Sequence, residues 1–338
     1  MVGYRIVPLL PRTPAARVAV VALAACLGAS AVVSVAALFG AFGGARPAPA
    51  AAGPASGPGS SEPGGADPAS ASPSGSASPS SSASPSRSAS PGPGTGAVPP
   101  PPGGVGAPPP GWTLKWSPQA SRDGLGAFEG VEDDRAGSDP GVKHIYVQGN
   151  SFRFDMPLKE RDSSPDRQRN EVKGMHANGQ DLSLGLGETW RLDWSLYIPS
   201  SLQATNRFTH IMQLKMPGNG SAPILTMDLT RQGSVPKIQV KIFDAGIVIG
   251  STDLAPLQDR WLTTSLTFTI GDAPTGAVTW TLGVGGSTVV NGTKTGVDTW
   301  LQDRVRPKWG IYRSVEDTSG SLHDCYLLIA NMRAYQKN

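Results

Sequence analysis

Three short runs in this 338-residue chain alternate polar and apolar side chains: Arg169-Asn170-Glu171-Val172-Lys173, His210-Ile211-Met212-Gln213-Leu214-Lys215 and Lys308-Trp309-Gly310-Ile311-Tyr312-Arg313. Successive side chains of an extended strand point to opposite faces. Arg169, Glu171 and Lys173 therefore share one face, Gln213 and Lys215 another, and Lys308, Gly310 and Tyr312 a third. A guanidinium, an amide and a phenol on neighbouring strands suit β-elimination on a uronic-acid polymer. The C5 proton of a uronate resists removal until the adjacent carboxylate is neutralised or hydrogen-bonded, because the enolate adds charge to it. Arg169 and Gln213 are side chains of the type that does this. A base must then take the C5 proton and an acid must protonate the departing O4, roles open to Tyr312 and His176.

Other chemistries find less support. A retaining glycosidase needs two carboxylates about 5 Å apart, and no strand-like run alternates acidic residues. Glu132-Asp133-Asp134 falls in a glycine-rich, loop-like stretch, and Asp228 stands between Met227 and Leu229. The four histidines, at 144, 176, 210 and 323, lack metal-ligand spacing. No glycine-flanked serine marks a nucleophile elbow.

Period-two alternation carries the fold assignment. Trp190, Leu192, Trp194, Leu196 and Ile198 alternate with Arg191, Asp193, Ser195 and Tyr197, a half-buried strand that stops at Pro199. Further strands are expected over 151–156, 167–173, 208–215, 224–230, 237–243, 246–251, 261–270, 277–284, 288–290, 308–313 and 325–335, with glycine-rich turns such as Gly218-Asn219-Gly220 and Gly285-Gly286 between them. No segment sustains helical periodicity over three turns. The pattern predicts an all-β fold over residues 112–338, one jelly-roll sandwich of two antiparallel sheets.

Upstream of that domain the composition changes. Residues 45–111 are mostly Pro, Ser, Gly and Ala, with Ser-Ala-Ser-Pro recurring between Ser70 and Pro91, too little apolar surface to offset chain entropy. An extended, disordered spacer is expected. Before it, Arg5, Arg12 and Arg17 flank an uncharged stretch from Val18 to Gly44. Residues 1–44 thus read as a signal peptide or a retained signal-anchor, which makes the domain secreted or membrane-tethered outside the cell. Leu23-Ala24-Ala25-Cys26 only superficially matches a lipoprotein box, because too few apolar residues precede it. Cys325 then has no disulfide partner in the domain and reads as a core thiol.

Five of the 29 basic and two of the 26 acidic residues precede Gly111, which leaves the rest balanced at 24 of each. A neutral domain argues against a nucleic-acid partner, so anion recognition must come from local placement.

At these residues the chain resembles the jelly-roll polysaccharide lyases, which include alginate lyases, heparin-lyase-I-like enzymes and glucuronan lyases. Arg169-Asn170-Glu171 is similar to their Arg-x-Glu strand, Gln213 to their glutamine strand, and Lys308-Trp309-Gly310-Ile311-Tyr312 to their Lys-x-Gly-x-Tyr strand. Alginate lyases of this fold carry Gln-Ile-His where this chain has Gln213-Leu214-Lys215, and His176 resembles the histidine of the glucuronan lyase family, polysaccharide lyase family 20. The resemblance implies an endo-acting lyase on a 4-linked, glucuronan-like polyuronate. In it Tyr312 transfers protons as base, acid or both, Gln213 and His176 lie at the carboxylate, and Arg169 orients or neutralises it. Lys215, Glu171, Lys308 and Arg313 are the expected substrate contacts, with Lys308 or Arg313 steadying a phenolate and Gly310 leaving room beside the phenol. No cofactor is implied. Some relatives of this fold hold calcium, and the stretch from Glu132 to Asp139 is the place a structural ion would use. A monomer acting on an anionic polysaccharide is expected.

Plainer readings stand beside these. Tyr312 also fits a half-buried edge tyrosine, Arg169 with Glu171 a same-face ion pair, and His176 a loop residue. Strict alternation puts His210 with Phe208, Met212 and Leu214 as a packed histidine, and His144 and His323 read as structural or surface. Two other function classes remain: a non-catalytic carbohydrate-binding sandwich, and a glycoside hydrolase with an unrecognised carboxylate pair.

Overall fold

A computed structural model describes residues 98–102, 109–218 and 221–338, all within one compact unit spanning 97–338. The expected signal segment (1–44), Cys26, the Ser-Ala-Ser-Pro repeats and the Asn219-Gly220 turn lie outside the described residues. Seventeen strands occur among those described. The first seven are β1 (Trp112–Trp116), β2 (Gly130–Glu132), β3 (Ile145–Gln148), β4 (Ser151–Met156), β5 (Arg167–Lys173), β6 (His176–Ala177) and β7 (Gln180–Asp181). β8 (Thr189–Tyr197), β9 (Thr209–Lys215), β10 (Pro223–Gln232), β11 (Val235–Ile242) and β12 (Ile247–Asp253) follow. The last five are β13 (Trp261–Thr269), β14 (Gly276–Val284), β15 (Ser287–Val297), β16 (Arg306–Ser314) and β17 (Cys325–Lys337). One short α-helix, α1 (Ala120–Asp123), lies between β1 and β2 and runs into a 3-10 turn at Gly124–Ala127.

Fifteen of the strands form two large antiparallel sheets, as the sequence pattern predicts, and β6 and β7 pair as a separate hairpin. A back sheet runs β15-β14-β13-β8-β17-β4-β3 with β1 added to β17, and a front sheet runs β12-β11-β10-β9-β16-β5-β2. Their inner faces meet in one core. From the back come Trp190, Leu192, Trp194, Leu196, Leu266 and Ile329; from the front come Leu214, Met227, Val240, Trp309 and Ile311, all buried. Trp309 closes the gap between layers, stacked on Trp116 with ring centroids 5.8 Å apart and edge-on to Trp194 at 6.3 Å. Each such side chain contributes about 1.5–3 kcal/mol on burial, the main force holding the sheets together.

Three expectations need correcting. Strand 288–290 is only the start of an eleven-residue edge strand, β15, whose exposed Thr293, Lys294 and Thr295 carry no apolar alternation to reveal it. β1, β2 and β3 were not anticipated, being short and bordering loops. β9 does not alternate throughout. Against β10, Met212 faces Met227 and His210 faces Asp228, so Ile211 is an extra residue, a β-bulge that reverses the parity of everything before it.

Gly310 has a different role from the one expected. Its φ is 139°, and a Cβ there would lie 2.1 Å from the carbonyl oxygen of Asn170 and 2.7 Å from Cα of Glu171. The glycine therefore allows β16 and β5 to approach, and it does so through backbone, not by making room for the phenol. Gly310→Ala combines a forbidden φ with an overpacked strand pair, costs that add to about 2–5 kcal/mol. Denaturant unfolding of the variant is expected to show that loss; an unchanged midpoint would refute the close-approach account.

Candidate active site

The outer face of the front sheet holds the polar rows. On β5 Arg167, Arg169, Glu171 and Lys173 point outward while Gln168, Asn170 and Val172 turn inward and are buried. β16 pairs beside it with Tyr312 opposite Arg169, Gly310 opposite Glu171 and Lys308 opposite Lys173. β9 pairs on the other side of β16, with Gln213 opposite Lys308 and His210 opposite Tyr312. Arg169, Glu171, Gln213, Lys308 and Tyr312 are thus brought together from three adjacent strands.

Glu171 is the hub. It is fully buried and accepts a 2.6 Å hydrogen bond from Nε2 of Gln213, a 3.0 Å bond from Arg169 and a 2.7 Å ion pair from Lys308. Lys308, also buried, reaches Glu132 at 2.6 Å, and Arg169 and Lys173 approach the same carboxylate at 3.5 and 3.3 Å. Burial alone would raise the pKa of Glu132, but Lys308, Arg169 and Lys173 overcome it and hold the group at about 2. Glu171 and Lys308 are therefore committed to each other, with their charged atoms already paired.

Tyr312 sits between two guanidiniums. Nη1 of Arg167 donates to its hydroxyl at 2.8 Å, and the guanidinium of Arg169 lies 3.7 Å from its ring centroid. Since arginine can only donate, the phenol oxygen accepts, and any negative charge on it meets both cations. Arg169 is itself held by Asp162 at 2.9 Å. Burial disfavours its charge, but Glu171, Tyr312, Asp162 and Glu132 more than offset this, so it stays cationic.

His210 completes this end of the polar face. Its ring lies 5.7 Å from that of Tyr312 and stacks on Phe208 at 5.1 Å. Nδ1 is 2.5 Å from Asp228, which also has Thr226 at 3.0 Å and Lys241 at 3.3 Å. Burial would raise the Asp228 pKa; hydrogen bonding to His210, the charge on His210 and Lys241 lower it below the ordinary carboxylate range. An ionised Asp228 only accepts, so Nδ1 carries a proton and Nε2 is the nitrogen left to exchange one.

Lys215, two residues from Gln213 and on its face, donates to the carbonyl and hydroxyl oxygens of Ser221. No carboxylate lies within ion-pair distance of it among the described residues. Burial, then the charges of Lys308 and Arg169, lower its pKa to about 8.

Two residues expected at the site lie elsewhere. Arg313 follows Tyr312 directly, so it points to the opposite face, where it is buried and donates to Gln168, to the sulfur of Cys325 and to the carbonyl of His323. It cannot touch substrate or phenol. His176 lies on β6, bonded to Asp181 at 2.7 Å, and lines an open depression of about 480 Å³ with Leu114, Trp116 and Arg122. Among the described residues no hydrogen bond, ion pair or ring contact joins it to Arg169, Gln213 or Tyr312.

Sequence reasoning passed over Arg167, His210, Asp228 and Glu132. Arg167 has the parity of Arg169 and was legible. Thr226 and Asp228 alternate within an apolar strand, a readable signal. His210 was masked by the bulge, and Glu132 meets Glu171 only through the β2–β5 register.

In the stretch from Glu132 to Asp139 the three aspartates are bonded to donors of the protein. Asp133 accepts from the amides of His144 and Ile145, Asp134 from Ser138 and Asp139, and Asp139 from Lys159, with His144 bonded to both Asp133 and Asp139. Among the described residues no three acidic, histidine or cysteine side chains form a metal-holding group. Glu132 and Glu171 share Lys308, and each carboxylate is already paired with further cations of the protein. Donors aimed at an anion, together with a phenol and an imidazole, suit proton transfer beside a carboxylate.

No family model and no curated protein matches the chain. Among solved structures, an endo-β-1,4-glucuronan lyase from Trichoderma reesei is 13% identical, covering 67% of this chain and 96% of its own at a TM-score of 0.43. An alginate lyase from Pseudomonas aeruginosa is 16% identical (62% and 98%, TM-score 0.41). An endo-1,3-β-glucanase from Streptomyces sioyaensis is 11% identical (69% and 99%, TM-score 0.42).

Proposed function

We propose that the domain is an endo-acting polysaccharide lyase that cleaves a 4-linked, glucuronan-like polyuronate by β-elimination. The observation that carries this reading is Tyr312, its hydroxyl accepting from Arg167 and its ring between Arg169 and His210. In the proposed reaction, Arg169 and the second N–H of Gln213 meet the uronate carboxylate and stabilise the charge that develops on it. Glu171 positions both donors and does not touch substrate. A base, Tyr312 or His210, takes the C5 proton. The C5–H electrons form the C4=C5 double bond, the C4–O4 bond breaks, and O4 leaves with a proton from Tyr312. His210, held by Asp228, replaces His176 as the histidine in this scheme. Export by residues 1–44, as a cleaved signal peptide or a retained membrane tether, is part of the proposal.

Tyr312→Phe removes the transferable proton but keeps the ring between its neighbours. Turnover, followed by ultraviolet absorbance of the unsaturated product on glucuronan, alginate and heparin, is expected to fall about 10²–10⁴-fold with substrate retention unchanged. If the wild-type protein gives no absorbance on any uronate but binds it tightly, the domain is a carbohydrate-binding module. If it releases reducing ends without absorbance, it is a hydrolase.

Asp228→Asn no longer fixes the protonated nitrogen of His210. The expected result is a lower kcat with KM little changed and a displaced pH profile, and an unaltered profile would remove His210 from the reaction. Lys215 is cationic below about pH 8 and neutral above it. An anionic polymer loses an attraction as pH rises through that value, so kcat/KM should fall through a break near pH 8. Lys215→Arg stays charged and should abolish the break; its persistence would assign the titration to another group.

A further inference from the structure

The outer face of the back sheet, opposite the groove, has buried residues where a sandwich has no further layer. Ser195 and Tyr197 of β8 and Leu328 and Ala330 of β17 point away from the core, yet are only 1%, 6%, 2% and 1% exposed. Side chains on the two strands that flank β8 reach from this face to a run of four prolines. Nε1 of Trp261, on β13, donates to the carbonyl of Pro99 at 2.6 Å. Nδ2 of Asn331, on β17, donates to the carbonyl of Pro102 at 2.7 Å and to the hydroxyl of Ser195 at 3.0 Å.

The spacing of these contacts fits one backbone conformation. Strands β13 and β17 are two inter-strand steps apart, about 9.5 Å. A polyproline helix repeats every three residues and rises about 3.1 Å per residue, so the carbonyls of Pro99 and Pro102 lie one turn and about 9 Å apart on the same side. Burial has the same period: Val98 and Pro101 are half-buried, while Pro99, Pro100 and Pro102 are exposed. A proline run has no N–H to extend a sheet and offers only carbonyls, which here meet side-chain donors.

The face itself is built for this. The ring of Trp261 lies 5.5 Å from that of Tyr197, Tyr197 stacks with Tyr326 at 6.4 Å, and Arg153 covers Tyr326 at 4.0 Å. An aromatic surface with N–H donors is the kind of groove on which proline-rich segments dock. Asn331 has φ 54° and sits where the β17–β8 register shifts between Ala330 and Arg333, a bulge conformation that asparagine tolerates.

We infer that this face is a polyproline-binding site, occupied in this chain by its own residues 98–102. The end of the proline-rich segment, read from sequence as free spacer, is then a strap over the back sheet. Residues 98–102 thus lie on the face opposite the polar rows of the front sheet. This inference does not depend on the chemistry of the groove.

The test uses the full chain with Pro99–Pro102 replaced by Gly-Ser-Gly-Ser. Hydrogen exchange and chemical shift of the Trp261 indole N–H are followed by nuclear magnetic resonance, with Trp261→Phe assigning the signal. Exchange should quicken about tenfold, the factor associated with one net hydrogen bond, and the resonance should move. The other seven tryptophan indoles should stay in place, showing an intact fold. Adding the peptide Val-Pro-Pro-Pro-Pro to the replaced chain should restore the shift, whereas a Gly-Ser peptide of equal length should not. Identical exchange and shift in the two chains, or an equal response to both peptides, would overturn the assignment.

Discussion

A buried ammonium between two carboxylates organises the front sheet. Lys308 is 2% exposed, and removing such a charge from water costs several kcal/mol unless its partners are fixed and complete. Glu132 and Glu171 supply those partners from β2 and β5, and Arg169, Gln213 and Lys173 satisfy their remaining oxygens. The network therefore locks β2, β5, β16 and β9 in one register. Losing Lys308 would leave the buried Glu171 and Glu132 carboxylates facing each other without their shared cation, and breaking a buried ion pair of this kind costs about 3–5 kcal/mol. Tyr312, four residues along β16 from Lys308, inherits its position from this arrangement.

The same pairing is compatible with the proposed carboxylate site in a domain balanced at 24 basic and 24 acidic residues. Most cations on the groove face are already neutralised by neighbours. Lys215 is the exception in kind, bonded to neutral oxygens of Ser221, and Gln213 keeps one N–H after donating to Glu171. Arg167 divides its guanidinium between Asp166 and the phenol of Tyr312. Local recognition of a carboxylate then needs no net field, only a few donors held in place by saturated ones.

How much of this the sequence disclosed follows from how far period-two alternation extends. Where strands are regular, as in β4 and β5, the bounds and the facing of Arg169, Glu171 and Lys173 were legible. The same rule placed Arg313 away from Tyr312, although adjacency in sequence suggested a partner. Alternation failed where the backbone departs from it. Ile211 adds one residue to β9, so His210 and Gln213, three apart, share a face that simple counting assigns to opposite ones. His176 was legible as a residue type but not as a position, because the β6–β7 hairpin binds it to Asp181.

The two faces of the sandwich solve opposite problems with one device, a side chain re-aimed by a bulge. On the front, the bulge at Ile211 turns His210 toward Tyr312, and Asp228, opposite it on β10, fixes the ring. On the back, the bulge at Asn331 turns an amide outward to a proline carbonyl. In each case the extra residue interrupts a ladder, a local cost that persists only because the re-aimed group gains a hydrogen bond no regular strand would offer. These are also the positions a pattern-based reading is least able to see, since the irregularity that re-aims each side chain is the one that breaks the pattern.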